Sequence, residues 1–349
     1  MKEVRKKIDL IDSKFLKLLN DRMELVLMSK RFKSQVEDKE REKEVLDRIK
    51  KNLTGLIDAG LIEKIYAEII KEGKNLQQKK YELIAFQGEH GAFCEVASRE
   101  WNKDLISIPC SEFADVFEGV KSDLYDYGIV PVENTLGGSV EQVNRLLINT
   151  SLNVVGAVEL PINLCLLALP GIDHREIRTV YSHPQALAQA RNFLLRNKLE
   201  PAQYYDTAGA AKMLAEQRPK VSAAIASKLC AKLFNLEVIK ENVEDLDRNM
   251  TRFLVLSKKK KREKGNKCSV IFSTAHKAGT LFNVLEVFAI ENINLTRIES
   301  IPSEPGDYAF FLDFIGSNKE DKVVKALKKI KKITTNLRIM GFYNERRMA

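Results

Sequence analysis

At 349 residues the chain is too long for one continuous core and predicts two or three compact units of roughly 100 to 200 residues each. Its 44% hydrophobic content excludes large-scale disorder. The net charge of +9 comes from 57 Lys and Arg interleaved with 48 Asp and Glu, a pattern of solvated helix faces that argues against a nucleic-acid partner. Cys94, Cys110, Cys165, Cys230 and Cys268 are odd in number and never form C-x-x-C, which argues against a disulfide framework or a zinc site and for a reducing, cytoplasmic setting. The charged start is unlike a signal peptide. The most apolar stretch, Val154 to Leu169, is interrupted by Glu159, Pro161 and Asn163, so no membrane span is expected.

Taken in order, Val4, Ile8, Ile11, Phe15, Leu18, Leu19, Leu25, Val26 and Phe32 recur at three- and four-residue intervals and predict one amphipathic helix running to about Val36. Further helices are expected from Lys39 to Leu53 and from Asp58 to beyond Ile70. A first helix of about 30 residues, about 45 Å long, outreaches any monomeric core of this size and predicts a homodimer or higher homo-oligomer. From Tyr81 the pattern becomes α/β, with strands at Leu83 to Phe86, Leu105 to Pro109, Tyr127 to Val132 and Leu152 to Val158. A second set follows, with strands at Thr179 to Ser182, Gln203 to Tyr205 and Ser222 to Ile225. Helices are expected at Gln185 to Asn197, Ala208 to Glu216 and Ser227 to Phe234, and a late strand at Phe253 to Leu256. Two lobes with a ligand cleft between them are expected.

The basic run Lys258 to Lys267 reads as a solvated linker. Beyond it, strand Cys268 to Ser273, helix Thr280 to Glu291, strands Asn294 to Ile301 and Tyr308 to Ile315, helix Lys319 to Ile333 and strand Leu337 to Tyr343 give βαββαβ, a ferredoxin-like α+β unit. The expected boundaries are 1–80, 81–257, a linker at 258–267, and 268–349.

Arg22 and Lys33 are 11 positions apart, so on one continuous helix they would project within about 20° of each other. The set Arg5, Arg22, Lys33, Asp38, Arg41, Glu42 and Gln77 resembles the all-α chorismate mutase pattern. That resemblance implies a pericyclic rearrangement of chorismate to prephenate, for which positioning and electrostatics suffice. It implies Arg5, from a partner chain, and Arg22 on the two carboxylates, supported by Arg41. Lys33 and Gln77 would donate to the ether oxygen, Glu42 would accept from the ring hydroxyl, and Asp38 would orient the pocket. Gly73 departs from the family, where a hydroxyl residue often stands.

The segments FQGEHGAFCE (86–95), VPVENTLGG (130–138), YSHPQALAQ (181–189), DTAGAA (206–211) and Thr251-Arg252-Phe253 occur in the order found in prephenate dehydratases, which the central part resembles. The resemblance implies conversion of prephenate to phenylpyruvate with no metal or cofactor. Thr251 would donate a proton to the departing hydroxyl or stabilise it by hydrogen bonding. Asn134, Thr135, Ser182, Gln189 and Thr207 would supply neutral hydrogen bonds to prephenate. Arg252 would be a carboxylate partner or a structural cation, and Phe253 a pocket wall or core residue. Cys94 stands where relatives often carry Ser or Thr, and His90 and His183 read equally as loop or capping residues.

Ala278, Gly279, Thr280 and Leu281 at a helix start, with Asn294, Leu295, Glu299 and Ser300, resemble the phenylalanine-binding ACT domain, although Ile301 replaces a frequent arginine. The joint expectation is a bifunctional enzyme of phenylalanine biosynthesis with chorismate and prephenate as substrates and phenylalanine as allosteric ligand. Two alternatives share these patterns: a dehydratase with a structural helical arm, and a non-catalytic ligand-sensing regulator.

Overall fold

In the computed structural model, which describes residues 1–33, 35–246, 248–260, 265–304 and 307–348, the chain divides after Glu82 into two units. The first is helical: α1 (Lys2–Ser29), a 3₁₀ turn at Lys30–Phe32, α2 (Lys39–Lys51) and α3 (Ala59–Gln78). Asp38 caps α2 by accepting from the Arg41 N–H, and Asp58 caps α3 by accepting from Leu61. Helix α1 stops short of the expected Val36, because the backbone is already extended at Lys33 (φ −116°, ψ 138°). Helix α3 packs on α1 at Gly73, where a Cβ would lie 3.4 Å from Val26 Cγ1. Among the described residues of this unit, only Leu27, Gly73 and Gln77 are buried. It encloses almost no core of its own.

The second unit opens with β1 (Leu83–Gln87), α4 (Phe93–Trp101), β2 (Ile106–Cys110), α5 (Phe113–Lys121), β3 (Tyr127–Asn134), the short β4 (Gly138–Ser139), α6 (Glu141–Asn149) and β5 (Asn153–Pro161). Strand β1 lies parallel between β2 and β3, and its run Leu83-Ile84-Ala85-Phe86 is wholly buried, as expected of a strand covered on both faces. The chain then builds a second lobe from β6 (Cys165–Ala168), β7 (Thr179–Ser182), α7 (Pro184–Gln189), α8 (Arg191–Arg196), β8 (Glu200–Gln203), α9 (Thr207–Gln217), β9 (Ser222–Ala226), α10 (Lys228–Leu233) and β10 (Glu237–Lys240), in sheet order β10-β6-β9-β7-β8. It returns as β11 (Met250–Ser257), antiparallel between β3 and β5. Two segments, 162–164 and 241–249, therefore connect the lobes. The single helix expected from Gln185 is two short helices meeting at Ala190, and the strand expected at 203–205 lies at 200–203.

The remaining elements are β12 (Lys267–Ser273), α11 (Thr280–Ile290), β13 (Leu295–Glu304), β14 (Asp307–Ile315), α12 (Asp321–Ile333) and β15 (Asn336–Tyr343), the βαββαβ order, in an antiparallel sheet β13-β14-β12-β15. Lys267 belongs to β12 rather than to a linker: it is buried and pairs with Glu345 at 2.6 Å. Linker residues 261–264 lie outside the described residues. A last strand, β16 (Glu345–Arg347), adds in parallel to β5 and ties this module to the first lobe's sheet. Among the described residues, no helix is long and apolar enough to cross a membrane.

Candidate active sites and ligand pocket

In the helical unit, Arg22 projects from α1 beside Gly73 of α3, its Nη1 3.9 Å from where a Cβ would stand. That nitrogen is buried with no hydrogen-bond partner among the described residues, a state that calls for an anionic ligand or water. Lys33 is 3.6 Å from Asp38, and Glu42 accepts from Lys74 Nζ at 3.0 and 3.1 Å. Three expectations change. Lys33 lies beyond the end of α1, so it shares no helical face with Arg22. Gln77 donates its amide to Val26 O at 2.6 Å and Ser29 Oγ at 3.0 Å, and so braces α3 against α1. Arg41 is exposed and paired with Glu44. Arg5, also exposed, is 17 residues from Arg22 on the same helix, about 26 Å at 1.5 Å per residue. One chain alone cannot bring both to one small ligand.

In the second unit, the sequence motifs follow the carboxyl ends of parallel strands. FQGEHGAF follows β1, VENTLGG closes β3, YSHPQAL follows β7 and DTAGAA follows β8, the position at which open α/β sheets hold ligands. The lobes meet there: Glu89 accepts from Tyr205 at 3.0 Å and Lys212 at 2.8 Å, and Ser227 donates to Gly91 O. Glu95 is buried beneath this loop. Burial alone would raise its pKa, but His90, the Gly91 N–H and Arg99 hold it below the usual carboxylate range. Asp206 caps α9 through Gly209 N, and burial raises its carboxyl above the ordinary value. Burial and the nearby Asp206 push Cys94 up to about 12, so this thiol stays protonated at neutral pH.

Where β11 meets β3, Asn134 Nδ2 donates to Thr251 Oγ1 at 2.8 Å, to Asn249 Oδ1 at 2.8 Å and to Met250 O at 3.2 Å. Its Oδ1 accepts from the N–H groups of Leu136 and Gly137. Asn249 in turn donates to Gln189 Oε1 at 3.0 Å, so one chain of amides runs from Thr251 across to the second lobe. Thr135 Oγ1 donates to Arg248 O and accepts from Met250 N. Thr207 stands half-buried in the first turn of α9. Ser182 departs from expectation: it is wholly buried and donates to Ile225 O of the neighbouring strand, which uses its hydroxyl proton within the second lobe. Phe253 is core. Arg252 is the structural cation of the two roles open to it, because Nε meets Glu345 at 2.5 Å, Nη1 meets Asp313 at 2.5 Å and Glu133 at 3.5 Å, and Nη2 donates to Tyr343 at 3.0 Å. These partners outweigh the effect of burial and hold its pKa well above the ordinary value. His183 caps α7 by accepting from Gln185 N. Asn249 and Glu95 had no role in the sequence reading, although Asn249 is two residues before Thr251 and Glu95 ends the first motif.

The C-terminal module holds a cavity of about 230 Å³ lined by Thr274, His276, Gly279, Leu281, Tyr308 and Phe310 among others. Gly279 caps α11 at φ 83°, a left-handed conformation suited to glycine, and leaves the first N–H groups of the helix without a side-chain cap. Thr280 Oγ1 closes the loop through Ala275 O and Lys277 O. Among the described residues, the lining does not include Ala278, Asn294, Leu295, Glu299 or Ser300. Glu299 instead borders a second cavity of about 200 Å³ with Glu133, Glu159 and Arg252.

Family models match in the same order: chorismate mutase type II over residues 4–78, prephenate dehydratase over 84–261 and the ACT domain over 269–332. A bifunctional chorismate mutase/prephenate dehydratase from Aquifex aeolicus is 35% identical over 98% of this chain and 97% of its own. The chain belongs to that family. It therefore carries a mutase domain and a dehydratase domain of phenylalanine biosynthesis, followed by an ACT domain. Among solved structures, the dehydratase and ACT part resembles GqqA, described as a quorum-quenching acylase (31% identity, TM-score 0.71, 75% of this chain and 97% of that one). It also resembles a prephenate dehydratase from Arthrobacter aurescens in complex with L-phenylalanine (28% identity, TM-score 0.70, 75% of this chain and 89% of that one).

Proposed function

We propose that the mutase domain works as a dimer in which α1 of two copies pair and each pocket takes Arg5 from the partner chain and Arg22 from its own. The exposed apolar row Val4, Ile8, Ile11, Phe15, Leu18 and Leu25 supports this, since its 4-3-4-3-7 spacing is that of a coiled-coil seam. In the pocket, Arg5 and Arg22 hold the chorismate carboxylates, with Arg41 in support. Lys33, ordered by Asp38, stabilises charge on the ether oxygen, and Glu42, oriented by Lys74, accepts from the ring hydroxyl. Gln77 would have to turn from Val26 O to reach substrate.

In the dehydratase domain, prephenate binds between the lobes and loses its ring carboxylate as carbon dioxide. The electron pair of that C–C bond enters the ring and expels the hydroxyl opposite, which leaves as water after taking one proton. The observation that carries this reading is the Thr251–Asn134 pair. An oxygen that accepts from Asn134 directs its own hydrogen elsewhere, where it can donate to the departing hydroxyl. Asn134, Thr135, Gln189 and Thr207 frame the ligand, and Asn249 holds Asn134 in place. A threonine hydroxyl has a high pKa, so hydrogen-bond stabilisation of the leaving oxygen is its main effect. Phenylalanine binds in the cavity at the start of α11, carboxylate on the uncapped N–H groups and ring toward Tyr308 and Phe310.

Purified protein supplied with chorismate should form phenylpyruvate, and the dehydratase rate should fall across a phenylalanine titration. Prephenate accumulating undiminished would refute the dehydratase reading, and a rate indifferent to phenylalanine would refute the reading of the cavity.

A further inference from the structure

Strand β11 sends neighbouring side chains to different destinations. In register with β3, Thr251 stands opposite Asn134 and Arg252 opposite Glu133. Side chains alternate along a strand, so the Thr251–Asn134 pair takes one face and the Arg252–Glu133 pair the other. On that other face the ACT domain grips both members. Asp313 of β14, wholly buried, takes Arg252 at 2.5 Å and is itself held by the Ser269 hydroxyl of β12. Arg297 of β13, also buried, meets Glu133 at 3.3 Å and donates to Asn144 at 3.0 Å. The two arginines cross the junction in opposite directions, Arg252 outward and Arg297 inward.

The backbone at this point is irregular. Register shifts between Arg252 and Phe253, leaving Val132 as an extra residue in β3, and Arg297 Nη2 donates to the Val132 carbonyl at 3.4 Å. A bulge of this kind re-aims the residues beside it, here Glu133 and Asn134. Resting on the reading of Thr251 above, we infer that Asp313 and Arg297 are positioning residues of the dehydratase reaction. Through Arg252 and Glu133 they fix the stretch of β11 and β3 that presents Thr251 and Asn134.

The same two ACT strands reach the ligand cavity. Ser269 and Asp313 are paired across β12 and β14, and Phe272 and Phe310 are paired three residues further along, with Phe310 in the cavity lining. At about 3.4 Å per residue, occupancy of the cavity is felt about 10 Å along rigid strands from the carboxylate that holds Arg252. The ACT domain thereby sets how well Thr251 is aimed.

The test uses the full-length enzyme and measures dehydratase kcat and KM on added prephenate, with mutase turnover of chorismate as an internal control. Asp313→Asn should lower dehydratase kcat about 10- to 100-fold, the scale of a small misplacement of a reacting group, with KM and mutase rate little changed. In an Asn134→Ala background it should add little further loss, since both changes act on one geometry. Arg297→Met should behave like Asp313→Asn, with partial recovery in Arg297→Lys. If Asp313→Asn fails to fold, Arg252→Met combined with Asp313→Val removes both charges with little change in combined side-chain volume; its kcat should still be low. Wild-type kcat in either folded variant, or losses that add fully with Asn134→Ala, would overturn the inference. Thr251→Val separates the two claims: if it retains full kcat, the reading of the site fails, whereas if it is inactive while Asp313→Asn is normal, only the positioning claim fails.

Discussion

The mutase and dehydratase domains deploy their arginines in opposite ways. In the mutase domain Arg5 and Arg41 are exposed, and Arg22 keeps a buried nitrogen without a hydrogen-bond partner among the described residues, which fits the proposed grip on an anion. In the dehydratase domain Arg252, next to Thr251, is engaged by three carboxylates and a tyrosine, and Thr251 itself accepts from the neutral amide of Asn134. The difference follows from the chemistry. The mutase reaction keeps both carboxylates of its substrate while charge shifts within it, whereas the dehydratase reaction keeps one of prephenate's two carboxylates and releases the other as a neutral gas. An arginine beside a reactive residue is thus no evidence of substrate contact until its partners are known.

The largest effect that would break this contrast is on stability. Arg252→Met leaves Asp313 buried without its cation and should destabilise the dehydratase–ACT unit by about 3 to 5 kcal/mol in denaturant unfolding; a change below about 1 kcal/mol would mean that the arginine is not a structural cation. In the mutase domain, Lys33→Ala should lower mutase kcat about 10²- to 10³-fold, with dehydratase turnover of added prephenate unaffected. Ile11→Lys places a charge in the apolar seam of α1 and should shift the protein toward monomer in sedimentation, with mutase activity falling as dimer is lost.

The smallest effect concerns pH. Burial would raise the Glu345 carboxyl, but Arg252 and Lys267 hold it below its ordinary value. A carboxyl with a depressed folded-state pKa stabilises the fold above its unfolded value, about 4.3, and that stability is lost as pH falls through the folded value. Unfolding followed from pH 6 to pH 3 should therefore show a shallower acid loss in Glu345→Gln than in the parent chain. Identical acid limbs would contradict the assignment.

Much of this was legible in the sequence because it is local. The βαββαβ order and the two successive sets of strands and helices that form the lobes follow from periodicity over short windows. What was not legible depends on distant partners or on a single backbone turn. Arg252 finds Asp313 and Glu345 at separations of 61 and 93 residues, which no spacing rule near Thr251 encodes. Lys33 continued a helical pattern on paper, yet the backbone leaves the helix just before it. The burial of Ser182 has a local signal: it shares the inward face of β7 with Val180, and the period of two marks it as buried. Asn249 had a signal too, two positions before Thr251, but only the fold shows it joining Asn134 to Gln189.

The most direct test of the account is the fate of chorismate in the Thr251→Val enzyme. With the mutase domain intact and the hydroxyl absent, chorismate should be consumed at the parent rate, and prephenate should accumulate in near-stoichiometric yield with phenylpyruvate formation slowed about 10²- to 10³-fold. Phenylpyruvate appearing at the parent rate would contradict the assignment of Thr251 and, with it, the reading of the cleft.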